Sequence, residues 1–157
     1  MKALLKTFLL CIVVVLQCSC QNRESEIFIL PEDYIGYAIV VFNQKDGEKP
    51  KYFEGKRVYE IPSNGILKTQ FEADYGMAEK FESFTKSVSE KNRIKSGVFN
   101  EGLSESMVSV CCYSNGKAYS RNNESISYLK VFIGTKSEVK EITTKFEKLD
   151  LANLVDN

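Results

Sequence analysis

The side chains with the most distinctive chemistry in this sequence are its five cysteines, and all except Cys11, in the apolar run near the N-terminus, fall into two groups. Cys18 and Cys20 flank Ser19 near the N-terminus, and Cys111 and Cys112 are adjacent. A cysteine thiolate can be acylated, can form a disulfide or can bind a metal ion. The chain has no histidine. It therefore cannot build Ser–His–Asp or Cys–His catalysis, or a zinc site with histidine ligands.

The first 19 residues have the order of a secretory signal peptide. Lys2 and Lys6 give a positive start, and an apolar run from Phe8 to Leu16 follows. A membrane-spanning helix needs about 20 apolar residues, so this run is too short to cross a bilayer and fits the core of a leader. We predict a lipoprotein signal peptide at residues 1–19; the alternative is a buried N-terminal strand or helix.

The end of the leader resembles a bacterial lipobox, in which a small residue precedes the cysteine that is acylated. Cleavage before Cys20 places Ser19 at the last removed position, whereas cleavage before Cys18 places the larger Gln17 there. We therefore predict that Cys20 carries the lipid, with palmitate among its acyl chains, and we keep Cys18 as the alternative. Several acyl chains on one cysteine give stable membrane attachment. Gln17 departs from the apolar residue of the pattern, so simple secretion stays open.

The polar residues 20–26 predict a short tether before a single β-rich domain over residues 27–157. Removing residues 1–19 removes two of the 21 basic residues and none of the 21 acidic ones, so the mature chain has a net charge of about −2. No basic stripe is present, and we predict no nucleic-acid partner. We expect a lipid-anchored protein of the cell envelope, at the outer membrane in a Gram-negative cell; a secreted or periplasmic protein is the alternative.

Cys111 and Cys112 lie inside the apolar run Ser106–Tyr113, which predicts a buried strand. Successive side chains of a strand point to opposite faces, and a disulfide prefers well-separated Cα atoms. We therefore expect one buried cysteine and one partly exposed cysteine rather than a bridge between them. A disulfide between two chains through the exposed thiol is the alternative.

Other candidate groups give weaker signals. Glu32 and Asp33 are adjacent acids in a predicted turn, and Asp46 and Glu48 lack the ligand spacing of a calcium loop. We predict no catalytic residue, no metal site and no cofactor. Four tyrosines can either form a recognition surface or, as we expect, pack on strands: Tyr34, Tyr37, Tyr52 and Tyr59.

The elements that must position these groups are mostly strands. Runs of apolar, β-branched and aromatic residues predict strands at Ile27–Leu30, Tyr37–Phe42, Arg57–Ile61, Ile66–Phe71, Ser106–Tyr113 and Ile126–Ile133. Asn64-Gly65 and Asn115-Gly116 each predict a hairpin turn. In the last run, Ile126, Tyr128, Lys130 and Phe132 alternate with Ser127, Leu129, Val131 and Ile133, which indicates that one of these two faces is fully buried.

Two segments near and beyond the middle of the chain carry helical patterns. Residues 72–100 fit either a helix or a hairpin through Ser89–Asn92. The segment Ser137–Leu154 predicts a C-terminal helix, because Ile142, Phe146 and Leu149 fall on one stripe. Short connections between many strands predict a mainly β fold, an antiparallel β-sandwich-like single domain closed by this helix.

Three motifs carry a resemblance to a known family. They are Ile29–Gly36 (ILPEDYIG), Phe42–Gly47 (FNQKDG) and Arg57–Phe71 (RVYEIPSNGILKTQF). They resemble the opening of a bacterial family of secreted and lipid-anchored domains, domain of unknown function 6843, and the likeness extends over Ile29 to Phe71. The family often continues with a tryptophan, which this chain lacks. The resemblance implies a β domain exposed in the envelope and implies no activity.

From these observations we expect a non-enzymatic binding or structural module, attached to the membrane by its N-terminal lipid, that binds an unidentified protein or glycan. Two alternatives remain. One is a small hydrolase of envelope polymers, which would need two carboxylates about 5–10 Å apart in a cleft. The other is a secreted protein that resembles an immunity protein or an inhibitor.

Overall fold

The computed structural model describes residues 24–75, 81–97, 104–120 and 123–151. It contains two β-sheets and one α-helix. The strands are β1 (Glu26–Leu30), β2 (Gly36–Val41), β3 (Tyr52–Phe53), β4 (Lys56–Glu60), β5 (Ile66–Lys68), β6 (Phe81–Thr85), β7 (Arg93–Ile94), β8 (Ser109–Tyr119) and β9 (Ser125–Gly134). The helix is α1 (Val139–Glu147), and two 3₁₀ turns lie at Glu90–Asn92 and Lys136–Glu138.

The two sheets have the strand orders β3-β4-β1-β6-β7, which we call sheet A, and β5-β2-β9-β8, which we call sheet B. Both sheets are mixed: β1 pairs in parallel with β4 and β6, and β2 pairs in parallel with β5 but antiparallel with β9. The prediction of a mainly β single domain with a C-terminal helix is confirmed. The expectation of a fully antiparallel arrangement is corrected, because each sheet contains parallel pairs.

Apolar side chains from both sheets meet in one core, so the sheets lie face to face as in a sandwich. Phe28 and Tyr59 enter this core from sheet A, and Leu129, Val131 and Ile133 enter it from β9. The three β9 side chains are fully buried, as their alternation predicts. Burial of this kind stabilises the fold by about 25 cal/mol for each Å² of apolar surface removed from water.

The helix α1 covers the outer face of sheet B. Ile142 is buried against Phe132, and the ring of Phe146 lies 4.9 Å from that of Tyr37, measured between centroids. The Lys130 ammonium lies 3.8 Å from the Phe146 centroid, and burial lowers the pKa of Lys130. These contacts confirm Ile142 and Phe146 of the predicted stripe, whereas Leu149 lies beyond the end of the helix at Glu147 and is 37% exposed.

Both predicted Asn-Gly hairpins are wrong. The segment after Asn64-Gly65 does not return along β4. It crosses to sheet B, where Ile66 pairs with Ile39 of β2. Asn115 and Gly116 lie inside β8, and the chain reverses instead between Tyr119 and Ser125.

Residues 81–94 form a hairpin, with Ser83 of β6 opposite Ile94 of β7. This settles the choice between helix and hairpin in favour of the hairpin for these residues. The chain reverses through the 3₁₀ turn Glu90–Asn92, close to the predicted Ser89–Asn92. Residues 76–80 and 98–100 of the ambiguous segment lie outside the described residues.

Candidate functional site

The predicted lipidation site, Cys20, and its alternative Cys18 lie outside the described residues, which begin at Glu24. The first described residue is already fixed on sheet A. Its carboxylate pairs with the guanidinium of Arg57, and Arg57 also donates to the carbonyl oxygen of Glu72 at 2.7 Å. A residue only four positions after Cys20 is therefore already held on sheet A.

The sulfur atoms of Cys111 and Cys112 are joined in a disulfide. The sequence-based expectation of two separate thiols is corrected, and the reason is local. The pairing of β8 with β9 shifts register between Cys111 and Ser114, and Cys112 has a φ of +59°. A bulge breaks the strict alternation of a strand, so the two side chains no longer point to opposite faces.

The disulfide lies between sheet B and the start of α1. Cys111 is only 2% exposed and packs with Phe132 and Ile142, whereas Cys112 is half-buried beside Val139. Access from solvent is therefore through Cys112. A dithiol donor could reduce such a bridge to two thiols while its own sulfurs form a disulfide.

A cavity of about 420 Å³ lies between α1 and sheet B, and its lining includes Ile142, which also packs with Cys111. Its apolar wall includes Tyr37, Ile39, Ile66, Ile142 and Phe146. Apolar walls with a few polar groups are typical of small-molecule sites. The volume alone gives room for a small ligand and does not identify one.

The carboxylates that line this cavity already have partners. Glu138 accepts hydrogen bonds from the backbone N–H and the hydroxyl of Thr135, at 2.8 and 2.7 Å. These bonds lower the pKa of Glu138. Glu141 pairs with Lys145 at 2.8 Å. A general acid needs a raised carboxyl pKa, so the environment of Glu138 is the opposite of what that role requires.

A buried carboxylate that the sequence analysis did not single out lies between the sheets. Glu26 is 1% exposed and accepts hydrogen bonds from the hydroxyls of Tyr59 at 3.0 Å and Tyr113 at 2.7 Å. Burial, and then the charge of Glu26, raise the pKa of Tyr59. The signal was available in the sequence: Glu26 alternates with Phe28 and Leu30, and both of these face the core.

The acids that the sequence offers as candidate site residues do not come together in a cleft. Glu32 pairs with Lys86 at 2.6 Å, and Asp33 sits in the adjoining turn with a φ of +55°. Glu48 pairs with Lys51 at 2.8 Å. Among the residues that the structure describes, no three histidine, cysteine or carboxylate side chains come together as a metal site.

The four predicted tyrosines do not share a surface. Tyr59 is buried, and Tyr34 donates a hydrogen bond to the carbonyl oxygen of Tyr37 at 2.7 Å. The hydroxyl of Tyr37 lies 3.2 Å from that of Thr143 on α1. Tyr52 is 55% exposed. Three of the four are therefore buried or half-buried, as expected, and Tyr52 is exposed although its ring contacts that of Phe71.

The motifs that carry the family resemblance contain two glycines that pack closely against other parts of the fold. Gly65 has a φ of +78°, and a Cβ there would collide with the hydroxyl of Tyr34. Gly47 lies against the backbone of Lys68 and Thr69, and its added Cβ would be 2.7 Å from the Lys68 carbonyl carbon. These glycines are needed for close approach of backbone and ring rather than for binding a ligand.

Comparisons with known proteins give a family and a fold. The model of the Family of unknown function (DUF6843) matches residues 22–142, which confirms the resemblance and extends it beyond Phe71. No curated protein sequence matches significantly. A crystal structure of a proposed lipoprotein from Bacillus anthracis is similar, with a TM-score of 0.49 and 21% identity over 73% of each chain. In the part of the chain that the structure describes, no helix is long and apolar enough to cross a membrane.

Proposed function

The chain belongs to the family of unknown function DUF6843, and from this premise we propose that it is a bacterial lipid-anchored protein of the cell envelope. One observation carries the proposal. The family match begins at residue 22, two positions after Cys20 of the lipobox-like segment, and the first strand begins at Glu26. The predicted leader, residues 1–19, therefore lies ahead of the matched region, as this proposal requires.

We propose further that the domain is a binding or structural module rather than an enzyme, with a protein or glycan of the envelope as partner. The carboxylates that line the cavity support this proposal. Glu138 and Glu141, at the cavity, are held by Thr135 and Lys145. A carboxylate-based hydrolase needs one acid with a raised pKa and a second acid facing it, and the pKa of Glu138 is lowered.

Metabolic labelling with palmitate tests the anchor. Cells that express the wild type, C18A and C20A are labelled, and the protein is immunoprecipitated. We expect label in the wild type and in C18A, and loss of label in C20A with accumulation of the unprocessed chain. Label that persists in C20A and disappears in C18A would move the site to Cys18. Absence of label from all three would refute lipid anchoring and favour a secreted protein.

A further inference from the structure

The exposed aromatic side chains of the described residues are confined to one end of the sandwich. They are Tyr52 (55% exposed), Phe53 (43%), Tyr75 (53%) and Tyr119 (63%). The large exposed aliphatic residues lie elsewhere. Ile35, Met107 and Val108 stand just before β2 and β8, at the opposite end, and Leu149, which is 37% exposed, follows α1. The two ends of the fold therefore differ in the chemistry of their exposed apolar side chains.

Strand register places the aromatic residues of sheet A beside the start of the domain. Tyr52 is opposite Arg57, and Arg57 is opposite Glu26, the first residue of β1. Phe53 follows, opposite Lys56. Both rings thus lie at the edge from which the chain continues toward Cys20.

The aromatic residues of sheet B lie at the same end. Tyr119 is opposite Ser125 at the closed end of the β8–β9 hairpin. Tyr75 contacts Ser127 through its hydroxyl, and the Lys117 ammonium lies 5.1 Å from the centroid of its ring.

Two sets of contacts join this hairpin end to the aromatic end of sheet A. The ring of Phe71 lies 5.3 Å from that of Tyr52, and the Phe71 carbonyl oxygen accepts from the N–H of Asn43. The neighbouring Phe42 N–H donates to the carbonyl oxygen of Ser127. We call the four residues Tyr52, Phe53, Tyr75 and Tyr119 the aromatic end.

The covalent reach of the chain limits how far this end can be from a lipid on Cys20. Consecutive residues advance by at most about 3.6 Å, so Cys20 and Glu24 are at most about 14 Å apart. Glu24 is fixed by its pair with Arg57, next to Tyr52. An acylated Cys20 therefore holds the aromatic end close to the bilayer surface.

We propose that the aromatic end rests on the lipid bilayer, with its rings in the headgroup region. Tyrosine and phenylalanine at a membrane surface place an apolar ring against the acyl boundary, and a tyrosine hydroxyl can stay hydrated there; the Tyr75 hydroxyl instead contacts Ser127. The exposed Lys117, stacked on Tyr75, can reach lipid phosphates. This inference rests on the proposed lipid anchor and adds an orientation, in which the end that carries Ile35, Met107 and Val108 points away from the membrane.

The chain contains no tryptophan, so a single introduced tryptophan is a clean fluorescent probe. The full chain is purified from membranes as F53W, as Y119W and, as a matched control at the opposite end, as M107W. Each variant is reconstituted into phosphatidylcholine vesicles with and without brominated acyl chains. All three positions are exposed, so none of the substitutions disturbs the core. We expect bromine to quench F53W and Y119W several-fold more strongly than M107W.

The mass of the N-terminal peptide is measured on the same samples, which separates the two hypotheses. In an acylated sample, equal quenching of the three variants, or none, overturns the orientation while the anchor stands; the aromatic end then remains as a surface for a protein or glycan. In a sample without acyl chains the anchor fails. Quenching of F53W and Y119W by added vesicles would then still support membrane contact, and its absence would overturn both.

Discussion

The sulfur of Cys111 is bonded to that of Cys112, the next residue in the chain, at the point where β8 slips in register against β9. This pair packs against Ile142 of α1, a residue that also lines the cavity. The disulfide, the bulge and the positive φ of Cys112 all lie within residues 111–114.

The disulfide predicts a specific pattern of alkylation. In denatured but unreduced protein, the peptide that spans Cys111 and Cys112 should take up no alkylating reagent, and after reduction it should take up two groups. In C112S the remaining thiol of Cys111 should react slowly in the folded state, because it is 2% exposed, and quickly after unfolding. Mass spectrometry measures each case. Two groups added before reduction would contradict the bond.

We predict that removal of a hydroxyl that donates a hydrogen bond to the buried Glu26 lowers the free energy of unfolding. Tyr59→Phe removes one hydroxyl donor and leaves the buried carboxylate less satisfied, so we expect a loss of about 1–3 kcal/mol in the free energy of unfolding. Tyr52→Phe is the control, since an exposed hydroxyl should change stability by less than about 0.5 kcal/mol. Urea unfolding measures both. Equal stability of the two variants would show that Glu26 does not depend on Tyr59.

Gly47 is predicted to tolerate no side chain. An added Cβ would lie 2.7 Å from the Lys68 carbonyl carbon and the Thr69 nitrogen, and these backbone atoms cannot move as a side chain can. We expect Gly47→Ala to lower the free energy of unfolding by about 1–3 kcal/mol, whereas Asp46→Ala, at the exposed neighbouring position, should have little effect. Thermal unfolding of the two variants measures the difference, and a Gly47→Ala variant as stable as Asp46→Ala would refute the close approach.

We predict that Glu82 causes part of the decrease in the free energy of unfolding at acid pH. Hydrogen bonds from Lys56, and then from Arg93 at 2.7 Å, lower the pKa of Glu82 in the folded state. A carboxyl with a depressed folded pKa stabilises the fold above its unfolded pKa of about 4.3, and this contribution is lost as the pH falls below that value. The pair is partly exposed, so the contribution should be about 1 kcal/mol or less.

Urea midpoints at about pH 7 and about pH 3 test this contribution. The midpoint should fall less on acidification in Glu82→Gln than in the wild type. Glu124→Gln, at an exposed glutamate of the β8–β9 turn, should follow the wild type. A Glu82→Gln variant with the full acid dependence would contradict the assignment.

The sequence predicts correctly those patterns of burial that depend on a single strand or helix. The buried face of β9 and the apolar stripe of α1 follow from periods of 2 and 3.6 residues, and both were confirmed. Partner strands were harder to predict, because a tight turn does not specify which sheet comes next. The Asn64-Gly65 turn leads from sheet A to sheet B.

Gly116 shows that a dipeptide typical of turns can also lie inside a strand. An Asn-Gly pair favours a hairpin, yet this glycine lies opposite Tyr128, and a Cβ there would be 2.3 Å from the Tyr128 ring. The Cys111–Cys112 bond was missed because a bulge carries no signature in these residues. Glu26 falls in the predicted tether because an acid directly before an apolar run continues the polar composition of residues 20–26.

The most direct test of the account is the mass of the N-terminal peptide of the mature protein, isolated from the membrane fraction. The account predicts a peptide that starts at Cys20 and carries diacylglycerol on its sulfur. A peptide that begins at Met1, or an unmodified N-terminus on protein recovered from the soluble fraction, would contradict it.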